Sequence, residues 1–243
     1  MSVVAGMEFS KGRFRVRLAG SSRDLEAVQR LRSRSFRGGT EADADEFDAR
    51  CQHLMIERLG DDQLVGTCRW QVLGGAEVTG GSYTAQFYDL EAMARQFDRM
   101  MEVGRFCMEG ADTDGLRLAW AALTRIVDGE GVGMMFGCSS FPGTLVEPHA
   151  EAFAALATGY LAPLCLRPGR RAVEVVPLAA RPHDPRRAML QMPPLLRSYL
   201  AMGGWVSDHA VVDRDLGTLH VMTGVEIAAI PPVRARLLRA DAA

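Results

Sequence analysis

The chain has 243 residues, of which 48% are hydrophobic and 24% are charged, and its formal net charge is −2. This length is sufficient for one large domain, and the near-neutral charge argues against a protein that binds nucleic acid through bulk charge. No apolar run approaches the roughly 20 residues of a membrane span, and residues 1–8 lack a secretion signal, so we expect a cytoplasmic protein.

In chain order, apolar–polar alternation predicts the strands, and apolar residues spaced three or four apart predict the helices. The expected elements are a strand at 13–18, a helix capped at residues 21–24, a loop at 37–50, strands at 51–57 and 63–73, a glycine-rich connection at 74–82, a short helix at 90–97 and a strand at 100–107. They continue with a helix at 116–127, a strand at 132–138, a helix at 147–161, a strand at 171–178, a helix at 193–202, and strands at 205–212 and 217–222. This order predicts an α/β domain with a mixed central sheet flanked by helices.

The cysteines and histidines do not follow the spacing of a disulfide framework or a metal site. The cysteines lie in or beside apolar runs and make no C-x-x-C pair, so we expect reduced core thiols. We expect no bound metal, because the histidines are isolated. The residues concerned are Cys51, Cys68, Cys107, Cys138, Cys165, His53, His149, His183, His209 and His220.

Arginines crowd the N-terminal part of the chain. Arg13, Arg15 and Arg17 alternate with apolar residues, so one face of the first predicted strand is basic. Two interpretations of this face are open: a solvated outer surface, or a docking surface for an acidic partner.

The segment Glu102–Phe106 places a glutamate and an arginine inside an apolar strand. Such charges are costly unless they are paired or used. Glu102 and Arg105 stand at i and i+3 and face opposite sides of a regular strand, but a bulge at Gly104 would re-aim one of them. The segment fits either a buried ion pair or an active site.

Four short motifs in order resemble the acyl-homoserine-lactone synthases and their relatives in the GNAT acyltransferase superfamily. They are an Arg-x3-Phe pair, an acidic D-x-F-D loop, a G-x-x-R strand and an E-x-x-R-F strand. The matching positions are Arg32, Phe36, Asp45, Phe47, Asp48, Arg69, Glu102, Arg105 and Phe106.

Further segments resemble one branch, the L-ornithine Nα-acyltransferases of bacterial ornithine-lipid synthesis. They include Tyr88–Leu90, Gly137–Phe141 and Pro193–Gly203, and the resemblance covers about residues 13–225. It implies a single GNAT-like domain over 1–243, with terminal extensions at about 1–12 and 226–243. It also implies transfer of a 3-hydroxyacyl group from acyl carrier protein to the α-amine of L-ornithine, giving a lyso-ornithine lipid.

The loop Cys107–Gly115 separates this chain from the acetyl-CoA enzymes that it resembles. Those enzymes bind a pyrophosphate with a glycine-rich loop, whereas this loop carries three acidic residues. The resemblance therefore implies an acyl carrier protein donor whose phosphopantetheine thioester is a co-substrate, and no tightly bound cofactor.

Roles for the site residues follow from this resemblance. Glu102 is the candidate base for the attacking amine. The other candidates bind substrate: Arg69 or Arg105 holds the carboxylate of the acceptor, Asp45 or Asp48 holds its ammonium, and Arg32, Phe36, Ser139 and Ser140 complete the set. A purely structural network of these acids with Arg32 and Arg69 is the alternative.

Two apolar features carry open interpretations. Residues 231–239 mix arginine with leucine, which fits a frayed or packed terminus, or peripheral contact with the anionic inner membrane. A set of large apolar residues fits either an acyl tunnel or ordinary core: Met100, Met101, Met134, Met135, Phe136 and Trp120.

Three other functions remain open: an acyl-homoserine-lactone synthase acting on S-adenosylmethionine, the same N-acylation of another amino acid such as glutamine, and a non-catalytic module that binds an acyl carrier or a membrane.

Overall fold

The computed structural model describes residues 7–110 and 113–242. Its strands are β1 Glu8–Lys11, β2 Phe14–Leu18, β3 Gln52–Arg58, β4 Gln63–Gly74, β5 Tyr88–Asp89, β6 Arg99–Met108, β7 Met134–Pro142, β8 Gly169–Arg170, β9 Val175–Pro177, β10 Trp205–Asp213 and β11 Thr218–Glu226. Its helices are α1 Ser22–Phe36, α2 Gly75–Gly81, α3 Glu91–Ala94, α4 Thr113–Glu130, α5 Ala150–Gly159, α6 Pro185–Gln191, α7 Pro194–Ala201 and α8 Pro232–Ala242. Short 3-10 turns lie at Thr84–Gln86, Glu147–His149 and Ile227–Ala229.

The glycine-rich segment is the main difference from the sequence prediction, because it forms helix α2 and not an irregular connection. The Glu77 carboxylate accepts a hydrogen bond of 2.7 Å from the backbone N–H of Gly74, and Val78 is fully buried. A Cβ on Gly75 would lie 2.5 Å from the carbonyl oxygen of Ala94. This close approach to α3 requires glycine and outweighs its poor helix propensity.

Other elements also differ from their predicted bounds. The strand predicted at 171–178 is reduced to β9, and β1 and α6 were not predicted. The C-terminal segment forms α8, which packs against α4. Arg239 pairs with Asp128 of α4 at 2.8 Å, so the interpretation as a packed terminus is confirmed. None of the helices in the described residues is both long and apolar enough to cross a membrane.

The chain divides into two compact units. The first comprises Met1–Val72, Val103–Val132 and Pro232–Ala243, and the second comprises Leu73–Glu102 and Gly133–Pro231. Strand β6 therefore begins in the second unit and ends in the first. The single domain over residues 1–243 stays a prediction.

In the first unit, strands β1 to β4 pair antiparallel in chain order. Phe14 and Val16 on β2 are buried, whereas the arginines between and after them are half-buried. The predicted alternation along this strand is thus confirmed. Helix α4 lies against β2, so the apolar side of the strand faces a helix.

The basic side of β2 is neutralised within this unit. Nη2 of Arg15 lies 2.7 Å from the Glu57 carboxylate on β3, and Nη2 of Arg17 lies 2.8 Å from the same group. Arg17 also pairs with Asp24 at 2.8 Å. These contacts argue against the docking-surface interpretation for Arg15 and Arg17, because the charge of these two side chains is already balanced.

In the second unit, β7 pairs parallel with the start of β6 and antiparallel with β11. Strand β10 then lies between β11 and β9, again antiparallel. One apolar cluster includes Val78 of α2 and Met93 of α3, and a second includes Phe153 of α5 and Leu196 of α7. The predicted mixed sheet with flanking helices is confirmed.

Candidate active site

Helix α1 carries a buried arginine into the first unit. Its N-cap is Ser21, whose side chain accepts a hydrogen bond from the backbone N–H of Asp24. Its buried face contains Val28, Leu31 and Arg32, and the Arg32 side chain is 0% exposed. A fully buried guanidinium requires carboxylate partners.

The loop after α1 supplies those partners. Nε of Arg32 donates to Asp43 at 2.6 Å, and Nη1 donates to Asp48 at 2.7 Å. Arg37 donates to the second oxygen of Asp43 at 3.1 Å. Nη2 of Arg32 is buried and finds no hydrogen-bond partner within the described residues.

Two strand arginines complete this cluster, which we call the arginine–aspartate network. Nη1 of Arg69 on β4 donates to Asp48 at 2.8 Å and also to Asp45. Nε of Arg105 on β6 donates to Asp43 at 3.1 Å, and its Nη2 lies 3.5 Å from Asp45. The network contains Arg32, Arg37, Arg69, Arg105, Asp43, Asp45 and Asp48, so four positive groups meet three negative ones.

These charges hold Asp43 and Asp48 ionised. Burial is the largest single influence on Asp48 and favours its neutral form, and the hydrogen bond and charge of Arg32 act against it. With the hydrogen bonds from Gln29 and Arg69, they lower the pKa of Asp48 to about 2. Burial opposes ionisation of Asp43 too, yet the charges of Arg105 and Arg32 lower its pKa.

Exposure separates the three aspartates. The side chain of Asp45 is 24% exposed, whereas those of Asp43 and Asp48 are 1% and 5% exposed. Asp45 is therefore the carboxylate of this network with access to a ligand, and the alternative of a structural network fits Asp43 and Asp48. Phe36, the last residue of α1, is half-buried one turn beyond Arg32.

The left-handed backbone conformation lies at Arg105, one residue after the position where a bulge was predicted. Arg105 adopts a φ of 51°, whereas Gly104 does not have a positive φ. A non-glycine residue in this left-handed region is strained, and such strain is retained where surrounding contacts hold the residue in place. The ion pairs with Asp43 and Asp45 supply those contacts.

Glu102 lies in the second unit, buried on β6 at 5% exposure. Its carboxylate accepts hydrogen bonds from the backbone N–H of Tyr83 at 3.0 Å and of Thr84 at 2.7 Å. The Thr84 hydroxyl donates a third bond at 2.7 Å. These three hydrogen bonds hold the Glu102 carboxylate against the start of the 3-10 turn Thr84–Gln86.

The β7 candidates lie in the same unit as Glu102 and have different environments. Ser139 is buried, and its Oγ accepts a 2.9 Å hydrogen bond from Thr223 on β11. Ser140 is exposed. Cys138 lies near Thr84, with 3.8 Å between its sulfur and the Thr84 hydroxyl oxygen.

The thiols behave mostly as core residues. Burial raises the pKa of Cys68, and it raises the pKa of Cys107 to about 11, which makes both poor nucleophiles. Cys51 is also buried, and all five cysteines are free. The prediction of core thiols is wrong for Cys165, which is exposed.

The proposed acyl-lining residues do not form one group. Met100, Met134 and Phe136 belong to one apolar cluster of the second unit. Met101 and Met135 are buried outside that cluster, and Trp120 belongs to the first unit.

Four site residues were missed by sequence reasoning: Arg37 and Asp43 in the network, and Tyr83 and Thr84 beside Glu102. Asp43 contacts three arginines, but the D-x-F-D motif begins two residues after it. Thr84 donates twice to Glu102 from a segment 18 residues away. The acidic run at 43–48 contained a signal for Asp43, whereas no sequence pattern marks Thr84.

Comparison with known proteins identifies the same family that the four sequence motifs resemble. Residues 28–115 match the model of the acetyltransferase (GNAT) domain. The L-ornithine N(alpha)-acyltransferase of Rhizobium meliloti is 33% identical over 239 residues, covering 88% of this chain and 80% of that protein. The enzyme of the same name from Rhodobacter capsulatus is 33% identical over 230 residues, covering 86% and 88%.

A solved structure has a similar fold. FeeM, an N-acyl amino acid synthase from uncultured soil microbes, superposes with a TM-score of 0.54 at 8% identity. The match covers 90% of this chain and 94% of that one, and at this identity it concerns the fold alone. The identity and coverage of the two named enzymes show that this chain is an acyltransferase and belongs to the L-ornithine N(alpha)-acyltransferase family.

Proposed function

We propose that this protein transfers a 3-hydroxyacyl group from acyl carrier protein to the α-amine of L-ornithine, forming a lyso-ornithine lipid. The observation that carries the proposal is the 33% identity with an L-ornithine N(alpha)-acyltransferase over 88% of the chain. The predicted site residues lie inside the region of similarity that the motifs define.

Glu102 is the proposed base. The α-amine attacks the thioester carbonyl, and its proton passes to the carboxylate as the C–N bond forms. The C–S bond then breaks, and the sulfur leaves as a thiolate that takes up this proton to give the free thiol. Support comes from the position of Glu102, buried in an apolar strand yet held by Tyr83 and Thr84. A fixed carboxylate loses little entropy when it meets the amine.

The arginine–aspartate network is the proposed binding group for the charges of ornithine. Asp45 is exposed enough to meet the side-chain ammonium. Of the two arginines predicted to hold the acceptor carboxylate, the side chain of Arg105 is 7% exposed and that of Arg69 is 3% exposed, so Arg105 is proposed for this role. Ser139 and Ser140 stay predictions for substrate contact.

The donor is proposed to be acyl carrier protein. In the loop Cys107–Gly115, Glu109 pairs with Arg34 at 2.7 Å, and residues 111 and 112 lie outside the described residues. The acidic composition of this loop disfavours a pyrophosphate and supports a donor with a single phosphodiester. Membrane contact through residues 231–239 stays a prediction.

A competition assay tests the proposal. The purified chain is incubated with 3-hydroxyacyl carrier protein and equal amounts of ornithine, glutamine and S-adenosylmethionine, and products are identified by mass spectrometry. We expect acyl-ornithine with the acyl group on the α-nitrogen. Acyl-glutamine or a homoserine lactone as the main product, or carrier binding without turnover, would overturn it.

A further inference from the structure

Strand β10 carries an irregularity opposite Met222. The paired residues on either side are Val206 with Thr223 and Ala210 with Val221, so β10 advances four residues where β11 advances two. Ser207 bridges the gap: its hydroxyl donates to the carbonyl oxygen of His209 at 2.6 Å and accepts from the N–H of Met222 at 3.1 Å. The bulge is therefore held by its own side chain.

The bulge brings two adjacent side chains together. Neighbours on a regular strand point to opposite faces, yet Nδ1 of His209 lies 2.7 Å from Oδ1 of Asp208. A carboxylate accepts hydrogen bonds, so Nδ1 carries the hydrogen. In the neutral ring, Nε2 of His209 is then an acceptor.

This acceptor is buried and unsatisfied. His209 is 0% exposed, and within the described residues no donor reaches Nε2. The neighbouring ring is Tyr88, with centroids 5.1 Å apart. The Tyr88 hydroxyl donates elsewhere, to the carbonyl oxygen of His220 at 2.8 Å. A buried polar atom without a partner is rare in proteins and points to a missing hydrogen-bond donor.

The surroundings indicate what kind of ligand carries that donor. Tyr88 belongs to a buried apolar cluster, and so does Val211, which shares the strand face of His209. The cluster also contains four methionines, whose side chains adapt to irregular shapes: Met93, Met100, Met134 and Met222. A single acceptor beside such a cluster matches an apolar chain that bears one hydroxyl group.

We propose that His209 Nε2 accepts a hydrogen bond from the hydroxyl group of the 3-hydroxyacyl donor and thereby selects hydroxylated over plain acyl chains. This inference rests on the proposed function. Asp208 acts as a positioning residue, because it fixes the hydrogen on Nδ1.

The test compares kcat/KM for 3-hydroxyacyl and plain acyl carrier protein of equal chain length, with ornithine as acceptor. We expect the natural chain to prefer the hydroxylated donor by about tenfold or more. His209→Leu should lower kcat/KM for the hydroxylated donor, leave the plain donor nearly unchanged and bring the ratio close to one. His209→Gln, which can present an acceptor at a similar distance, should retain part of the preference.

His149→Leu is the matched control. His149 is buried in the same unit, but its Nε2 is paired with the carbonyl oxygen of Pro142 at 2.8 Å. This variant should lose stability, and its donor ratio, meaning kcat/KM for the hydroxylated donor divided by kcat/KM for the plain donor, should stay unchanged. If His209→Leu does not fold, Asp208→Ala replaces it, since Asp208 is half-exposed, and its donor ratio should also fall.

The outcomes separate two failures. Equal use of both donors by the natural chain, or an unchanged ratio in a folded His209 or Asp208 variant, overturns the role of His209 alone. Absence of acyl-ornithine from both donors overturns the proposed function and this inference with it.

Discussion

Arg105 donates from Nε to Oδ2 of Asp43 across 3.1 Å, and it does so from a backbone with a φ of 51°. The left-handed conformation directs the side chain of Arg105 to the acidic loop. The ion pair and the backbone strain are thus coupled: the network holds a conformation that costs about 1–3 kcal/mol in a non-glycine residue.

Arg105→Lys tests whether this geometry serves the acceptor. Lysine keeps the charge but lacks the planar fork that contacts two carboxylates. We expect KM for ornithine to rise by about tenfold with little change in kcat, as measured by steady-state kinetics. An unchanged KM in a destabilised variant would assign Arg105 a structural role only.

Asp43→Asn tests the stability contribution of the network. The substitution leaves buried guanidinium groups, among them Arg32 and Arg105, without their shared carboxylate. We expect the free energy of unfolding in urea to fall by about 3–5 kcal/mol. Glu174→Gln is the control, because Glu174 pairs with Arg214 on the exposed surface, and it should change stability little. Similar losses in both variants would contradict the account.

The pH dependence of stability tests Asp48. Its folded pKa of about 2 lies below the value of about 3.9 of an unfolded aspartate. The stabilisation is therefore complete above about pH 4 and is lost as the pH falls toward 2. The loss is about 2 kcal/mol. It should appear in the difference in the free energy of unfolding between the natural chain and Asp48→Asn, measured by urea titration between pH 5 and pH 2. This range begins about one unit above the unfolded pKa. Parallel curves for the two proteins would refute it.

Thr84→Val tests the support of Glu102. Valine keeps the shape of threonine and removes the hydroxyl that donates to the carboxylate at 2.7 Å. We expect a loss of about 1–3 kcal/mol in stability and an activity decrease of about tenfold. Thr124→Val is matched, because the Thr124 hydroxyl donates only to the carbonyl oxygen of Trp120 on its own helix. Activity that falls equally in both variants would argue against a specific role for Thr84.

Sequence patterns predicted most of the helices and strands, because at these elements the capping residues and the apolar–polar pattern agree with the packing in the folded chain. The cap at Ser21 and the alternation along β2 are examples. Helix α2 could not be predicted, because its glycines are poor helix formers and only the close approach of Gly75 to Ala94 explains them. Propensity there was overridden by tertiary contact.

The sequence motifs also predicted part of the candidate active site. The motifs identified Arg32, Asp48, Arg69 and Arg105, which the structure brings into one network. The motif did not indicate that the positive φ falls at Arg105 and not at Gly104, because glycine permits this conformation but does not require it. The partners of Glu102 come from a turn whose sequence has no special composition, so three-dimensional contact alone identifies them.

The most direct test of the account is the initial rate at which Glu102→Gln forms Nα-(3-hydroxyacyl)ornithine, measured by mass spectrometry on protein that unfolds cooperatively. Glu57→Gln is measured beside it, since Glu57 is equally buried at 5% exposure and pairs with Arg15. We predict that Glu102→Gln lowers the rate by about 100-fold or more, whereas Glu57→Gln loses stability and keeps its rate. Full activity of folded Glu102→Gln would contradict the assignment of Glu102 as the base.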